Sequence, residues 1–372
     1  MAQQFDVVVV GKGNAALCAA LSARDTGVSV AMLEAAPVEE SGGNSRFAGG
    51  VMRFAYSSVE DLQKVTDIPA DEVTTVDWDS NTIDEFYDDL YRVTAFRTDP
   101  NLSETLITKS HEGMVWARGQ GAKFVPNYGA QSKIINGKRV FHGRFPLTVN
   151  GGGAGLVEDL TKTAEKKGVK IFYETRAFEL IYDGKNVNGV RAKQKGEVVE
   201  FHAKAVVLAC GGFESSAEMR ARYLGPTWDL AKVRGTRFNT GDGIRMAMAA
   251  GADLWHMNNL AGPFLAFQMP EFPVACRLGA AKANSYLYVG GDGVRFIGEA
   301  PNFKVEGGRQ RSPIKHGKVL RNGRFVQYPC PMPMYLIFDE TVRQAGGVCG
   351  RAAGFAFGWD VIHGDCYQWS AD

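Results

Sequence analysis

Between residues 11 and 34 the chain sets two glycines, a small residue and an acid at a spacing suited to the diphosphate and ribose of a dinucleotide. Gly11-Lys12-Gly13-Asn14-Ala15-Ala16 follows the apolar, β-branched run 7–10. Gly11 permits a tight turn. Gly13 lets the backbone approach a pyrophosphate, and a helix starting at Asn14 offers amide donors and the positive end of its dipole. Ala16 stands where the pattern asks only for a small residue. Glu34, 21 residues beyond Gly13, is placed to accept the ribose hydroxyls.

These residues need particular elements around them. Residues 7–10 read as a buried strand, 14 to about 24 as a helix, and 28–33 as a second strand after Gly27. Together they make a βαβ unit. Further on, Thr82 and Glu85 form a capping-box pattern, and Ile83, Phe86, Leu90 and Val93 recur at helical spacing, predicting a helix with one buried face. Residues 67–89 hold nine acids and no Lys or Arg, which suggests a solvated loop and helix start. Helices are predicted over 103–118 and 155–167. Over 169–208 the pattern changes to short β runs broken at Asp183-Gly184 and Lys195-Gly196, predicting a small antiparallel sheet; a separate buried strand follows at 205–209. After Gly251 the texture shifts to more Pro, Arg and aromatics. That divides the chain into 1–250 and 251–372.

Composition narrows the classes. Of the 372 residues, 45% are hydrophobic and 22% charged, ordinary for a globular enzyme, and a net charge of +1 gives no field for nucleic acid. No apolar run approaches the roughly 20 residues of a membrane span. The first strand starts within five residues, so no signal peptide is expected. The six cysteines show no CxxC pair, which fits reduced thiols in a cytoplasmic protein. His363 and Cys366 have no second ligand pair, so no metal site is expected.

Four more motifs narrow the dinucleotide to FAD: Gly42-Gly43-Asn44-Ser45 with Gly49 and Gly50; Ala209, Gly211 and Gly212; Thr240, Gly241 and Asp242; and residues 284–289 followed by 293–299. In this order after a GxGxxA unit they resemble the flavoprotein family of fumarate reductases and succinate dehydrogenases, which also includes urocanate reductases and ketosteroid dehydrogenases. Residues 84–94, Arg97-Thr98-Asp99 and the GGNSR at 42–46 resemble its tricarballylate dehydrogenase branch. The resemblance covers nearly the whole chain. It implies an α/β fold: a glutathione-reductase-like FAD-binding domain with a small antiparallel sheet, and an α+β capping domain over flavin and substrate. It places Ala177 with the cofactor-binding positions. Family members that bind FAD covalently carry a histidine in the Gly-rich segment; the first here is His111, so non-covalent FAD is expected.

The activity implied is hydride transfer between flavin N5 and a carbon of a succinate-like or tricarballylate-like acid, in either direction. Arg343 matches the family's active-site acid and Glu299 a glutamate of its proton relay. The relay arginine is not at its usual place, and Arg309 and Arg311 are the candidates to replace it. His256 stays unassigned. The family's closing segment, with a substrate-binding His and Arg, does not follow Trp369, so a truncated chain is expected. Residues 276–351 hold twelve Lys or Arg against five Asp or Glu. That excess either faces an anionic substrate or is solvated surface. With no Fe–S or haem motif in the sequence, a separate electron-transfer partner is expected, a membrane Fe–S protein or a quinone-linked carrier. Two other readings stay open: a ketosteroid-type dehydrogenase with Tyr286 and Tyr288 near its pocket, and a non-catalytic FAD-binding fragment.

Overall fold

The computed structural model describes residues 2–94, 96–258, 285–296 and 332–345, and the backbone alone of short strands between Ala266 and Gln327. At its centre is a six-stranded sheet. In chain order its strands are β1 (Ala2–Val10), β2 (Val30–Leu33), β3 (Lys170–Phe172), β4 (Thr175–Tyr182), β5 (Val187–Gln194) and β6 (Glu197–Leu208). Their spatial order is β3-β2-β1-β6-β5-β4. The first four in space run parallel, with Val7 to Val10 of β1 beside Val30 to Leu33 on one side and Ala205 to Leu208 on the other. β5 and β4 continue the sheet antiparallel.

Both faces of the parallel part are covered, which accounts for the unbroken valine run in β1. Val9 faces a core made with helix α1 (Asn14–Asp25), whose Ala16, Leu17, Ala20 and Leu21 are fully buried. Val8 and Val10 face a second core with Ala31, Leu33, Ala177, Val190 and Phe201. Each fully buried Val or Leu contributes about 1.5–3 kcal/mol. Helix α2 (Gly43–Arg46) and helix α5 (Gly152–Lys166) pack backbone to backbone: a Cβ on Gly153 would lie 1.9 Å from the Ser45 carbonyl oxygen.

One expectation changes here. The predicted antiparallel sheet and the strand predicted at 205–209 are not separate. β6 is a single 12-residue strand that pairs antiparallel with β5 over residues 197–202 and parallel with β1 over residues 200–208. Its polar interruption at Lys204 is an exposed position, where the ammonium reaches Asp6 at 2.7 Å, and the strand does not break there.

Helix α3 (Ile83–Thr94) starts with the predicted capping box: the Thr82 amide donates to Glu85 at 2.9 Å and the Glu85 amide to the Thr82 hydroxyl at 3.3 Å. It packs beside α4 (Pro100–Gly119). Its buried side is not the predicted one throughout. Phe86 is buried, whereas Ile83 is 46% exposed. The acid-rich stretch is likewise not all solvated. Asp89, 9% exposed, accepts from Arg53 at 2.5 Å, Arg92 at 2.7 Å and Arg144 at 3.0 Å, and Arg144 also reaches Glu85 at 2.8 Å. The sequence reading missed these arginines because two of them lie 36 and 55 residues away in the chain. Burial pushes the Asp89 carboxyl up, but the Arg92 and Arg53 hydrogen bonds and the neighbouring guanidinium charges outweigh it and hold it well below the usual carboxylate range.

A carboxyl depressed in the folded state stabilises the fold above its unfolded pKa of about 4, and the contribution fades as pH falls below that. Asp89→Asn should therefore lose about 2 kcal/mol at neutral pH, read from the urea midpoint, with the gap to the parent narrowing under acid conditions.

Candidate cofactor site

The ends of β2, β1 and β6 meet at one level. The Gly11 amide donates to the Leu33 carbonyl at 2.7 Å and the Ala209 amide to the Val10 carbonyl at 2.9 Å. Gly11 has φ +109°, and a Cβ there would sit 2.5 Å from the Ala209 carbonyl oxygen, so the turn admits only glycine. Gly13 is different. Its φ is −72°, and an added Cβ would meet nothing closer than Ser45 Oγ at 3.5 Å. The protein's own packing tolerates a side chain at Gly13, so the empty space is left to whatever the cleft holds.

Helix α1 begins here without a side-chain cap on Gly13. The Asn14 amide donates to Ser45 Oγ at 2.9 Å. The amides of Gly13 and Ala15 have no partner among the described residues. Unpaired donors at a helix start are suited to a diphosphate.

Glu34, 6% exposed, closes β2. Its backbone is held by the Phe172 carbonyl and the Thr175 amide, and its carboxyl accepts the Ala36 amide at 2.8 Å. Burial pushes this carboxyl up; the Ala36 amide, the Lys12 charge and the Gly42 and Ala35 amides pull it back. Lys12 is 4% exposed, with its ammonium 3.4 Å from Ser41 Oγ and 5.6 Å above the Tyr173 ring. Its pKa is pushed down to about 8, mainly by burial.

The opposite wall runs through Ala209, Cys210, Gly211, Gly212, Glu214, Thr236, Phe238, Asn239 and Asp242. Two contacts tie it to the α2 segment. Asn44 accepts the Thr236 amide at 3.0 Å and donates to Glu214 at 3.3 Å, and Arg237 makes a two-point pair with Glu40 at 2.8 and 2.7 Å. Asp242 opens helix α7 (Asp242–Ala249), the next after α6 (Ala217–Leu224). Burial raises the Asp242 pKa, yet the two-point pair with Arg176 and the bond from Arg245 at 2.9 Å hold it below its ordinary value.

The cleft so formed encloses about 290 Å³. Of the sequence candidates, Gly11, Gly13, Asn14, Ala15, Glu34, Gly43, Asn44, Ser45, Ala177, Ala209, Gly211, Gly212 and Asp242 line it. Five others are placed elsewhere. Gly42, at φ +112°, leaves room for Val157 of α5, and Gly50 for the backbone of Gly152. The Gly49 carbonyl accepts the Thr148 hydroxyl. Gly241, at φ +81°, would place a Cβ 2.2 Å from Met219 Sδ, and the Thr240 hydroxyl accepts from Arg176 at 2.6 Å. These five shape the walls from behind.

The sequence reading missed Lys12, Ala35, Thr175, Arg176, Cys210, Glu214, Thr236, Phe238 and Asn239, all of which line the cleft. Lys12 and Cys210 sit inside quoted motifs, and Arg176 adjoins Ala177. Nothing in the local pattern marks residues 236–239.

Among the catalytic candidates, only the Arg343 side chain is described, and it is not among the residues that line the cleft. Arg343, on helix α8 (Glu340–Gln344), makes a two-point pair with Glu340, both bonds 2.7 Å. Glu299 and Arg309 lie outside the described residues, as does the Arg311 side chain. His256 stacks on Trp255 at 4.5 Å. Tyr286 and Tyr288, on strand β7 (Tyr286–Gly290), meet edge to face at 5.8 Å.

Comparison with known proteins agrees with this geometry. The profile of a family described as an FAD binding domain matches residues 6–318. A fumarate reductase (cytochrome) of Shewanella frigidimarina is 28% identical over 91% of this chain and 53% of its own length. The chain spans about half the length of the first curated relatives it matches. An open flavocytochrome c3 fumarate reductase superposes with TM-score 0.60 at 25% identity, over 80% of this chain and 49% of that one. A 3-ketosteroid Δ1-dehydrogenase from Sterolibacterium denitrificans shares the fold, with TM-score 0.62 at 20% identity over 80% of this chain and 64% of that one.

The two loop glycines should separate in an experiment. Gly13→Ala should leave the unfolding free energy within about 1 kcal/mol of the parent, since a poorer cap is offset by a less flexible unfolded chain. FAD affinity should nonetheless fall at least tenfold, about 1.4 kcal/mol, by titration calorimetry. Gly11→Ala should fail to give folded protein, read by circular dichroism.

Proposed function

The chain belongs to the FAD-binding-domain family, and on that premise we propose that it is an oxidoreductase moving a hydride between flavin and a carbon of a small polycarboxylate of the succinate, fumarate or tricarballylate kind. The observation that carries the cofactor part is the joint placement of Glu34 and the unfilled space at Gly13 in one cleft. FAD supplies the two-electron chemistry when bound; the chain binds and orients it. The amides at Gly13 and Ala15 are suited to its diphosphate, and the Glu34 carboxylate to its ribose hydroxyls.

The substrate part rests on charge. Residues 276–351 carry seven more basic than acidic side chains in a chain of net charge +1. Arginine forks suit paired carboxylates. In this reading residues 251–372 form a cap over the site, Arg343 delivers the proton and Glu299 replenishes it. An arginine, though a very weak acid, can serve because the accepting carbon becomes strongly basic as the hydride arrives. The Arg343–Glu340 pair would have to open for that role. A separate electron carrier, such as a membrane Fe–S protein or a quinone-linked carrier, would complete the cycle. A non-covalent flavin fits the absence of histidine between Glu34 and Gly50. The Tyr286–Tyr288 pair favours the second reading, a ketosteroid-type dehydrogenase.

Anaerobic titration of the flavin-loaded chain tests both. Bleaching of the flavin bands by tricarballylate or succinate supports the proposal, and bleaching by a 3-ketosteroid alone overturns the substrate assignment. Bound flavin that no substrate reduces would identify a cofactor-binding fragment without turnover. Arg343→Gln should lower turnover at least about 100-fold, the scale of a lost acid–base group, with the flavin spectrum unchanged.

A further inference from the structure

We propose that Lys12 is a positioning residue of the cofactor site, supplying the positive charge against which Glu34 presents its carboxylate to the cofactor's ribose. The inference rests on the FAD reading above and concerns how this chain builds that site.

Lys12 occupies the loop position between the two glycines, where the chain turns over the cleft. It is as buried as Glu34, and both line the same cavity. Burying an ammonium is costly unless an opposite charge compensates it. No direct ion pair joins it to Glu34: the lysine's hydrogen bond goes to Ser41, and Glu34 takes the Ala36 amide. The carboxylate is therefore not capped by the lysine and remains available to a ligand, while the charge nearby still favours its ionised form.

The other groups around Lys12 do not replace that charge. Glu165 of α5 bears on it with negative charge, and Arg46 of α2 repels it. The Tyr173 phenol, over which it lies, is pushed up to about 12 and stays neutral. Burial is already the largest influence on Glu34 and raises its pKa; removing Lys12 takes away one of the influences that lower it. A protonated carboxyl loses the charge-assisted acceptance of ribose hydroxyls.

The test is FAD affinity of the full chain, by flavin fluorescence, from about pH 6 to about pH 9. In Lys12→Met the stem packing is kept and the charge removed. This variant should bind FAD about tenfold more weakly than the parent at the acid end, and the two should converge at the alkaline end, where the parent's Lys12 loses its charge and Glu34 is ionised in both. Lys12→Arg should stay within about threefold of the parent throughout. In a Glu34→Gln background, Lys12→Met should add no pH-dependent change. A loss in Lys12→Met that is equal at every pH, no loss at all, or the same pH dependence without Glu34 would overturn the proposal. Lys12→Gln, read the same way, replaces Lys12→Met if that variant does not fold. A parent chain that binds no FAD at any pH would instead overturn the cofactor reading on which this rests.

Discussion

Three parallel strands end at the same level, and the chain must leave β1 by a turn that has no room for a side chain. The Ala209 carbonyl lies where a Cβ of Gly11 would be. That contact fixes the direction of α1, and with it the position of the α1 amides relative to Glu34 at the end of β2 and to the Ala209-to-Gly212 segment after β6. The same sheet is buried on both faces, so its register cannot slip without exposing a valine row. The cleft is thus a consequence of how the sheet ends, and its polar groups are held by backbone bonds to Leu33, Val10 and Phe172.

Charge around the cleft is arranged in opposed pairs. Lys12 and Glu34 line the same cavity, Arg176 and Arg245 hold Asp242, and Arg237 clasps Glu40. The last of these, with the Asn44 bonds, joins the α2 segment to residues 214–237 and closes the cleft from two sides. Paired exposed charges contribute little to stability individually. Their consequence here is geometric, because each one spans two segments that meet at the cavity.

The βαβ unit was legible because local signals coincide there: an apolar run, two glycines, a helix and an acid, all within about 30 residues. The Thr82–Glu85 capping box was legible for the same reason. Long-range features were not. The continuity of β6 depends on β1 lying beside it, and the Asp89 cluster depends on arginines from two distant segments. Gly42, Gly50 and Gly241 also have a packing reason to be glycine that the sequence does not reveal, since Val157, Gly152 and Met219 lie where a Cβ would go. Lys12 carried no assignment, since nothing local reveals that it is buried in the lining of the same cleft as Glu34.

Among the described residues no helix is long and apolar enough to cross a membrane. The described cleft is suited to the diphosphate and ribose half of FAD, and that half is the central claim. The most direct test compares FAD with FMN, which lacks the adenylate portion, in calorimetric titrations of the parent chain. The account predicts saturable binding of FAD at one per chain and FMN binding weaker by at least about 100-fold, roughly 2.7 kcal/mol. Equal affinity for the two flavins would contradict it, because the Gly13 and Glu34 cleft would then contribute nothing to holding the cofactor.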